Sequence, residues 1–156
     1  MRYTIRNKTR HNKIRTTRTI RTNKGYSKRY SHQHIVSMFL QMLNTVKLYH
    51  WKTTSFAQHK ATDELYAKLN ESIDTFVETM LGKTGSRVNL TNIKSIPLLD
   101  YTELSNFKNM VEQYKHYLIG MSRDTILHSK TNTDLLNIRD EILGHLNQFT
   151  YLLTFK

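Results

Sequence analysis

From Ile35 onward, apolar residues recur at three- and four-residue steps in four blocks, and only one of the three breaks between blocks is long. That period belongs to helices that each bury one face. Ile35, Met38, Phe39, Met42, Leu43 and Val46 form the first block, helix A, which runs to about Thr53. Ser55 followed by Gln58 is a capping-box pattern that opens helix B, with Leu65, Tyr66, Leu69, Ile73, Phe76, Val77, Met80 and Leu81 on its apolar side. Gly82 is expected to end it. The stretch from Lys83 to Leu99 is rich in Gly, Asn and Ser, contains Pro97, and reads as a long connection. Asp100 with Glu103 offers the next cap, and Phe107, Met110, Val111, Tyr114, Leu118 and Met121 continue as helix C to about His128. A polar break from Ser129 to Asn132 precedes helix D, which presents Leu135, Ile138, Ile142, Leu146, Phe149 and Leu153 on one face.

Two short turns around one long connection imply an all-α four-helix bundle in which A and B pair antiparallel, C restarts at the opposite end and D returns. About 17 residues suffice to travel back along a helix of roughly 36 Å, since extended chain covers about 3.3 Å per residue. At 156 residues and 38% hydrophobic content the chain is long enough for one domain with a real core. It has no cysteine, which removes disulfides, thiolate catalysis and sulfur-ligated metal sites together. Any metal must therefore use nitrogen and oxygen ligands. No apolar run reaches a membrane span and the N-terminus lacks the apolar stretch of a secretory signal, so an intracellular protein without a membrane partner is expected.

The formal charge of +12 is concentrated in the first part of the chain: residues 1–62 hold fourteen Lys or Arg and no acid, whereas residues 63–156 hold ten against twelve acids. Arg2, Arg6, Lys8, Arg10, Lys13, Arg15, Arg18, Arg21, Lys24, Lys28 and Arg29 alternate with Thr, Asn and the aromatics Tyr3, Tyr26 and Tyr30. Such a composition cannot bury enough apolar surface to fold alone. The organisation expected is thus a basic, disordered arm over residues 1–33 and a bundle over 34–156. Eleven cations without an acid suit phosphate neutralisation without sequence reading, and the tyrosines add stacking on bases. Nucleic acid is the partner this arm fits best. Competing readings are a transit peptide, opposed by the sparse aliphatics Ile5, Ile14 and Ile20, a nuclear localisation signal, and contact with an acidic protein surface.

His59, Asp63, Asp74 and Glu78 fall at about 0°, 40°, 60° and 100° around helix B, a single stripe of metal-type ligands. The two pairs are nevertheless separated by roughly 16 Å along the axis, so one helix cannot close a site. Two copies packed antiparallel about a two-fold axis near Lys68 and Leu69 would bring His59 and Asp63 of one to Asp74 and Glu78 of the other. The spacing therefore predicts a shared site in a homodimer. Glu64 and Glu71, at about 140° and 120°, lie beyond the stripe and read as solvent contacts.

His50 and Trp51 on helix A, followed by His59, Asp63, Asp74 and Glu78 on helix B, resemble the Dps family of mini-ferritins, whose ferroxidase ligands are a helix A histidine followed by tryptophan and then His, Asp, Asp and Glu. The resemblance covers residues 35–82 closely and 131–154 loosely, through Thr133-Asp134-Leu135 to Leu153. The stretch SFAQHKATDELY, Ser55 to Tyr66, is also similar to ferritin-like proteins of large DNA viruses. The resemblance implies a ferritin-like four-helix bundle, a dodecameric homo-oligomer, iron as the metal, and His50, His59, Asp63, Asp74 and Glu78 as metal-binding and catalytic ligands in the oxidation of ferrous iron. One departure bears on His50. The turn from His50 to His59 is about three residues shorter than in typical members and lacks their glycine, so its ring is expected to swing away from the partner's acids and weaken the site. The Glu-x-x-His pair of larger ferritins is absent, because Glu112/His116 and Glu141/His145 are spaced four apart.

Imidazole with carboxylate suits ferrous iron, whereas an all-oxygen set suits magnesium or calcium. Two function classes are consistent with these residues. One is a Dps-like ferritin that binds, oxidises and stores iron and holds nucleic acid through its arm. The other is a non-catalytic helical structural or virion protein that uses the same arm to bind or package nucleic acid.

Overall fold

The computed structural model describes residues 30–123 and 130–155 of the chain. Four helices account for most of them: α1 (His32–Lys52), α2 (Phe56–Thr84), α3 (Leu104–Met121) and α4 (Thr133–Leu152), the last preceded by a 3₁₀ turn at Lys130–Asn132. No strand occurs among the described residues. The all-α four-helix bundle with a long crossover is the architecture the block pattern implies. No described helix is long and apolar enough to cross a membrane.

Cross-links between elements give the topology. The Lys68 ammonium donates to Gln148 and the Lys83 ammonium to Asp134, so α2 and α4 run antiparallel. Tyr30, just before α1, packs on Tyr117 near the end of α3, while Tyr49 near the end of α1 stacks on Phe107 at the start of α3, which makes α1 and α3 antiparallel as well. Residues 85–103 must therefore travel the length of the bundle. They do so along α1: Gln33 donates to the Asn89 carbonyl, Gln41 to the Pro97 carbonyl, and Lys52 to both Asp100 oxygens at 2.7 and 2.6 Å.

The core lies between the helices as one continuous cluster. Phe39 meets Phe76 edge-on at 5.2 Å and Phe107 meets Phe149 at 5.9 Å, geometries that aromatic quadrupoles favour. Thr45 and Tyr114 are the polar pair inside it, their hydroxyls 2.8 Å apart. Burial pushes the Tyr114 phenol up to about 12, against the opposing hydrogen bond from Thr45. Arg139, 5% exposed, donates from Nη1 to the Leu118 carbonyl and the Ser122 hydroxyl at the end of α3. A cation placed there satisfies carbonyls that the helix leaves unpaired.

Element ends depart from expectation in four places. Helix α2 continues through Gly82 to Thr84 and stops at Gly85, whose φ of 62° is the left-handed cap that glycine accepts. Asp100 does not cap α3, because its carboxylate is engaged by Lys52; the helix starts at Leu104 after Glu103, with no side-chain cap bond. Helix α3 ends at Met121, short of His128, with residues 122–123 in a turn and 124–129 outside the described residues. The fourth departure is Tyr30. Expected to be an arm residue that stacks on bases, it is 1% exposed and donates to the Tyr117 carbonyl at 3.2 Å. The bundle thus begins at Tyr30, with Ser31 capping α1 through the His34 N–H, rather than at residue 34. The rest of the proposed arm, residues 1–29, lies outside the described residues.

Two glycines provide a test of this packing. A Cβ at Gly120 would run into the buried Tyr30 hydroxyl, whereas one at Gly144 in α4 meets nothing within 4 Å. Gly120→Ala is expected to destabilise the fold by about 1–3 kcal/mol through overpacking. Gly144→Ala should stabilise it by about 0.5–1 kcal/mol through helix propensity. Urea denaturation of the two variants checks this pair of opposite signs.

Candidate metal centre

The site begins with a short turn. Helix α1 ends at Lys52 and α2 begins at Phe56, so Thr53, Thr54 and Ser55 reverse the chain alone. Ser55 accepts the Gln58 N–H, as the capping pattern requires, but the Gln58 side chain does not complete the box. Its Oε1 instead accepts from the Tyr49 hydroxyl at 2.7 Å and the Thr53 hydroxyl at 2.9 Å, tying the first turn of α2 to the last turn of α1. Burial raises the Tyr49 phenol above its ordinary range, with the Thr53 hydrogen bond opposing.

This register places His50 against His59. Their rings stack with centroids 3.9 Å apart, and each donates across the pair: His50 Nδ1 to the His59 carbonyl and His59 Nδ1 to the His50 carbonyl, both at 3.0 Å. A carbonyl can only accept, so both Nδ1 atoms carry hydrogen in the neutral rings. The two Nε2 atoms consequently keep their lone pairs, the state a metal-ligating imidazole needs. Thr62, fully buried, adds a contact at 3.3 Å from its hydroxyl to His50 Nδ1. Part of the stability of the arrangement comes from the helix end itself, because the His50 carbonyl belongs to the last turn of α1, where carbonyls lack helical partners.

Asp63, one turn beyond His59, brings Oδ1 to 3.9 Å from His50 Nε2. That gap is too long for a hydrogen bond. It is within the separation of two donors that each lie about 2.1 Å from a shared ion. His50, His59 and Asp63 are thus brought together. The His50 ring is 7% exposed and packed face to face with His59. Asp74 and Glu78 are not brought to them. Both are exposed on the same side of α2, roughly 16 Å and more further along the helix. Among the described residues no three His, Asp or Glu side chains of one chain converge tightly enough to hold an ion. The donor types present, imidazole nitrogen and carboxylate oxygen, are those a nitrogen–oxygen metal takes, with His50, His59 and Asp63 at one end of α2 and Asp74 and Glu78 further along it.

The surroundings contain residues that spacing did not single out. Lys47 lies 4.8 Å from the Tyr66 ring and 5.7 Å from Trp51, itself 69% exposed beside the site. The i, i+4 period of Lys47 and Trp51 was the available signal. Glu64 and Glu71 are exposed, as read from the helical wheel. Among the described residues a second His–acid pair, His145 with Glu141 at 3.7 Å, is an i, i+4 pair on α4.

The fold defines a class: a four-helix bundle with one long crossover, carrying the His50–His59 pair and Asp63 at its α1–α2 turn. The chain belongs to a family of unknown function, DUF5856, whose model matches residues 50–153. No curated protein and no solved structure matches it. The matched segment opens at His50 and spans α2, the crossover, α3 and α4, leaving the basic segment outside.

The tautomer assignment can be measured directly. Long-range proton–nitrogen correlation spectra of the metal-free protein are expected to show neutral His50 and His59 protonated at Nδ1. Protonation at Nε2 in either ring would contradict the reciprocal hydrogen bonds.

Proposed function

We propose that this protein is a Dps-like iron-binding bundle in which two copies share each metal site, oxidise ferrous iron there with peroxide or oxygen as the electron acceptor, and hold nucleic acid through the basic N-terminal segment. The observation that carries the reading is the reciprocal His50–His59 lock, because it engages both Nδ1 atoms and leaves both Nε2 atoms free, that of His50 3.9 Å from the Asp63 carboxylate. An isologous pairing supplies the missing acids. With His59 opposite Glu78 and Asp63 opposite Asp74, each dimer holds two equivalent sets of three residues from one copy and two from the other. Imidazole nitrogen with carboxylate oxygen matches ferrous iron, which enters as substrate. The histidines fix geometry and the three carboxylates offset the charge of the ion. Iron-centred oxidation, storage of the product and assembly into a larger shell are what the Dps resemblance adds.

Complementation between variants tests the sharing. His59→Ala and Glu78→Ala are each expected to abolish saturable anaerobic binding of ferrous iron, read by quenching of Trp51 fluorescence. Refolded together in equal amounts, they should regain about a quarter of the wild-type sites, because half the dimers are mixed and each mixed dimer carries one intact set. No recovery would place the ligands within one chain or remove them altogether. Intact assembly with no ferrous iron binding in the wild type would favour the structural reading of the bundle.

The basic segment is tested separately. Removing residues 1–29, which spares the buried Tyr30, is expected to eliminate duplex DNA retardation at low salt. The full chain should lose affinity steeply as salt rises, about 10³-fold or more between 50 and 200 mM if six or more phosphates are neutralised. Retardation that survives the truncation would assign binding to the bundle instead.

A further inference from the structure

Two exposed apolar side chains share one stripe of α1. Leu40, Lys47 and Trp51 are spaced seven and four apart, which puts them within about 20° of a single line along the helix. Trp51 is 69% exposed and Leu40 37%. The stripe borders α2, because the Lys47 ammonium lies over the Tyr66 ring and Leu40 lines a groove of about 210 Å³ with Val36, Ile73 and Val77. Asn70 and Asp74 complete its rim. Apolar walls with oxygen acceptors at the rim are what an indole requires, since its ring is apolar and its single N–H needs a partner once covered.

In the shared-site reading, on which this inference rests, position 59 lies opposite 78 and 63 opposite 74, so the two-fold axis passes near Lys68 and Leu69. On α1 the same level falls between Leu43, which shares the groove with Asn70, and Lys47, which reaches Tyr66. Leu40 and Trp51 therefore stand about equally far to either side of it. An axis perpendicular to both α2 helices brings like flanks together, so α1 of one copy faces α1 of the other. Along the helices the Trp51 ring lies between the level of His59, on which its neighbour His50 stacks, and that of Tyr66, whose ring shares the Lys47 ammonium with it. The positions opposite that span run from 78 to 71, and the groove's Ile73, Asp74 and Val77 fall within it. We infer that Trp51 of each protomer seats in the groove of the partner subunit, so that a second copy of this chain docks on the α1–α2 face through two symmetric indole contacts.

The patch is self-complementary: a Trp51 ring over Leu40 in one half of the pair entails the reverse contact in the other half, the property an isologous interface requires. Each contact covers an indole and an exposed apolar wall at once, and a large ring with few rotatable bonds loses little freedom on docking. Charge favours the same placement. Lys47, 5.7 Å from the Trp51 ring, enters with it and approaches the end of α2 that holds Asp74 and Glu78, where no Lys or Arg occurs between Asn70 and Gly82. Trp51 is then a positioning residue, which holds the histidines of one copy level with the acids of the other without touching the metal.

Trp51 is the only tryptophan of the chain, so its emission reports the contact without iron. Diluting the metal-free, full-length protein through its dimer dissociation constant is expected to shift that emission to the red and to open the ring to acrylamide quenching. Trp51→Ala should raise the constant in sedimentation equilibrium by about thirtyfold or more and Leu40→Ala by about fivefold, with the double variant falling well short of the product of the two. Far-ultraviolet circular dichroism verifies that each variant remains helical. A dimer whose Trp51 is as accessible as in the monomer, or losses that multiply in the double variant, overturns the indole contact and leaves the shared site standing. A wild-type chain that stays monomeric overturns both. A dimer with Trp51 covered that binds no ferrous iron supports the contact and removes only the iron reading.

Discussion

Three residues, Thr53 to Ser55, set the register on which the bundle depends. A turn this short leaves α1 and α2 little freedom to slide, and Gln58 removes what remains by accepting hydroxyls from both Tyr49 and Thr53. The stacked imidazoles are a consequence of that register, because His50 and His59 can exchange carbonyl hydrogen bonds only when one helix end sits directly against the next helix start. Tyr49 carries the constraint into the core through its stack on Phe107 at 4.0 Å, and Phe107 passes it to Phe149. Turn, donor cluster and core packing are therefore one connected structure. Loosening the turn would disorganise the cluster before it unfolded the protein.

The helical blocks are legible because burial imposes a period that sequence must obey, and each predicted apolar residue lies inside its helix except Leu153, which caps α4. Boundaries are less so. Gly82 resembles a stop, but a glycine ends a helix only where the backbone turns left-handed, and that conformation falls on Gly85 three residues later. Asp100 resembles a cap, yet Lys52 lies 48 positions away in sequence and close in space, and a charged partner outcompetes two backbone amides. Tyr30 is hidden for a similar reason. Its neighbours in sequence are cations, and nothing local shows that Tyr117 offers it a buried site.

For the donor cluster, the pattern His50, His59, Asp63, Asp74, Glu78 is readable as residue types on one face, and the structure unites the first three. The tautomers are not readable, because they depend on which carbonyl each ring nitrogen meets across the turn. Nor is the place of Lys47, whose contact with both Tyr66 and Trp51 depends on how α1 packs against α2. Spacing also correctly separates Asp74 and Glu78 from the rest, because rise per residue is fixed by helix geometry.

Tyr30 donates to a carbonyl 87 residues further along the chain. During synthesis its partner does not exist until the third helix has been made, so the α1–α2 hairpin can form early while the residue at its root waits. The docking of Tyr30 is thus a late contact that closes a large chain loop. Opening of α1 from that end has to free Tyr30 first, and it leaves the donor cluster at the opposite pole undisturbed.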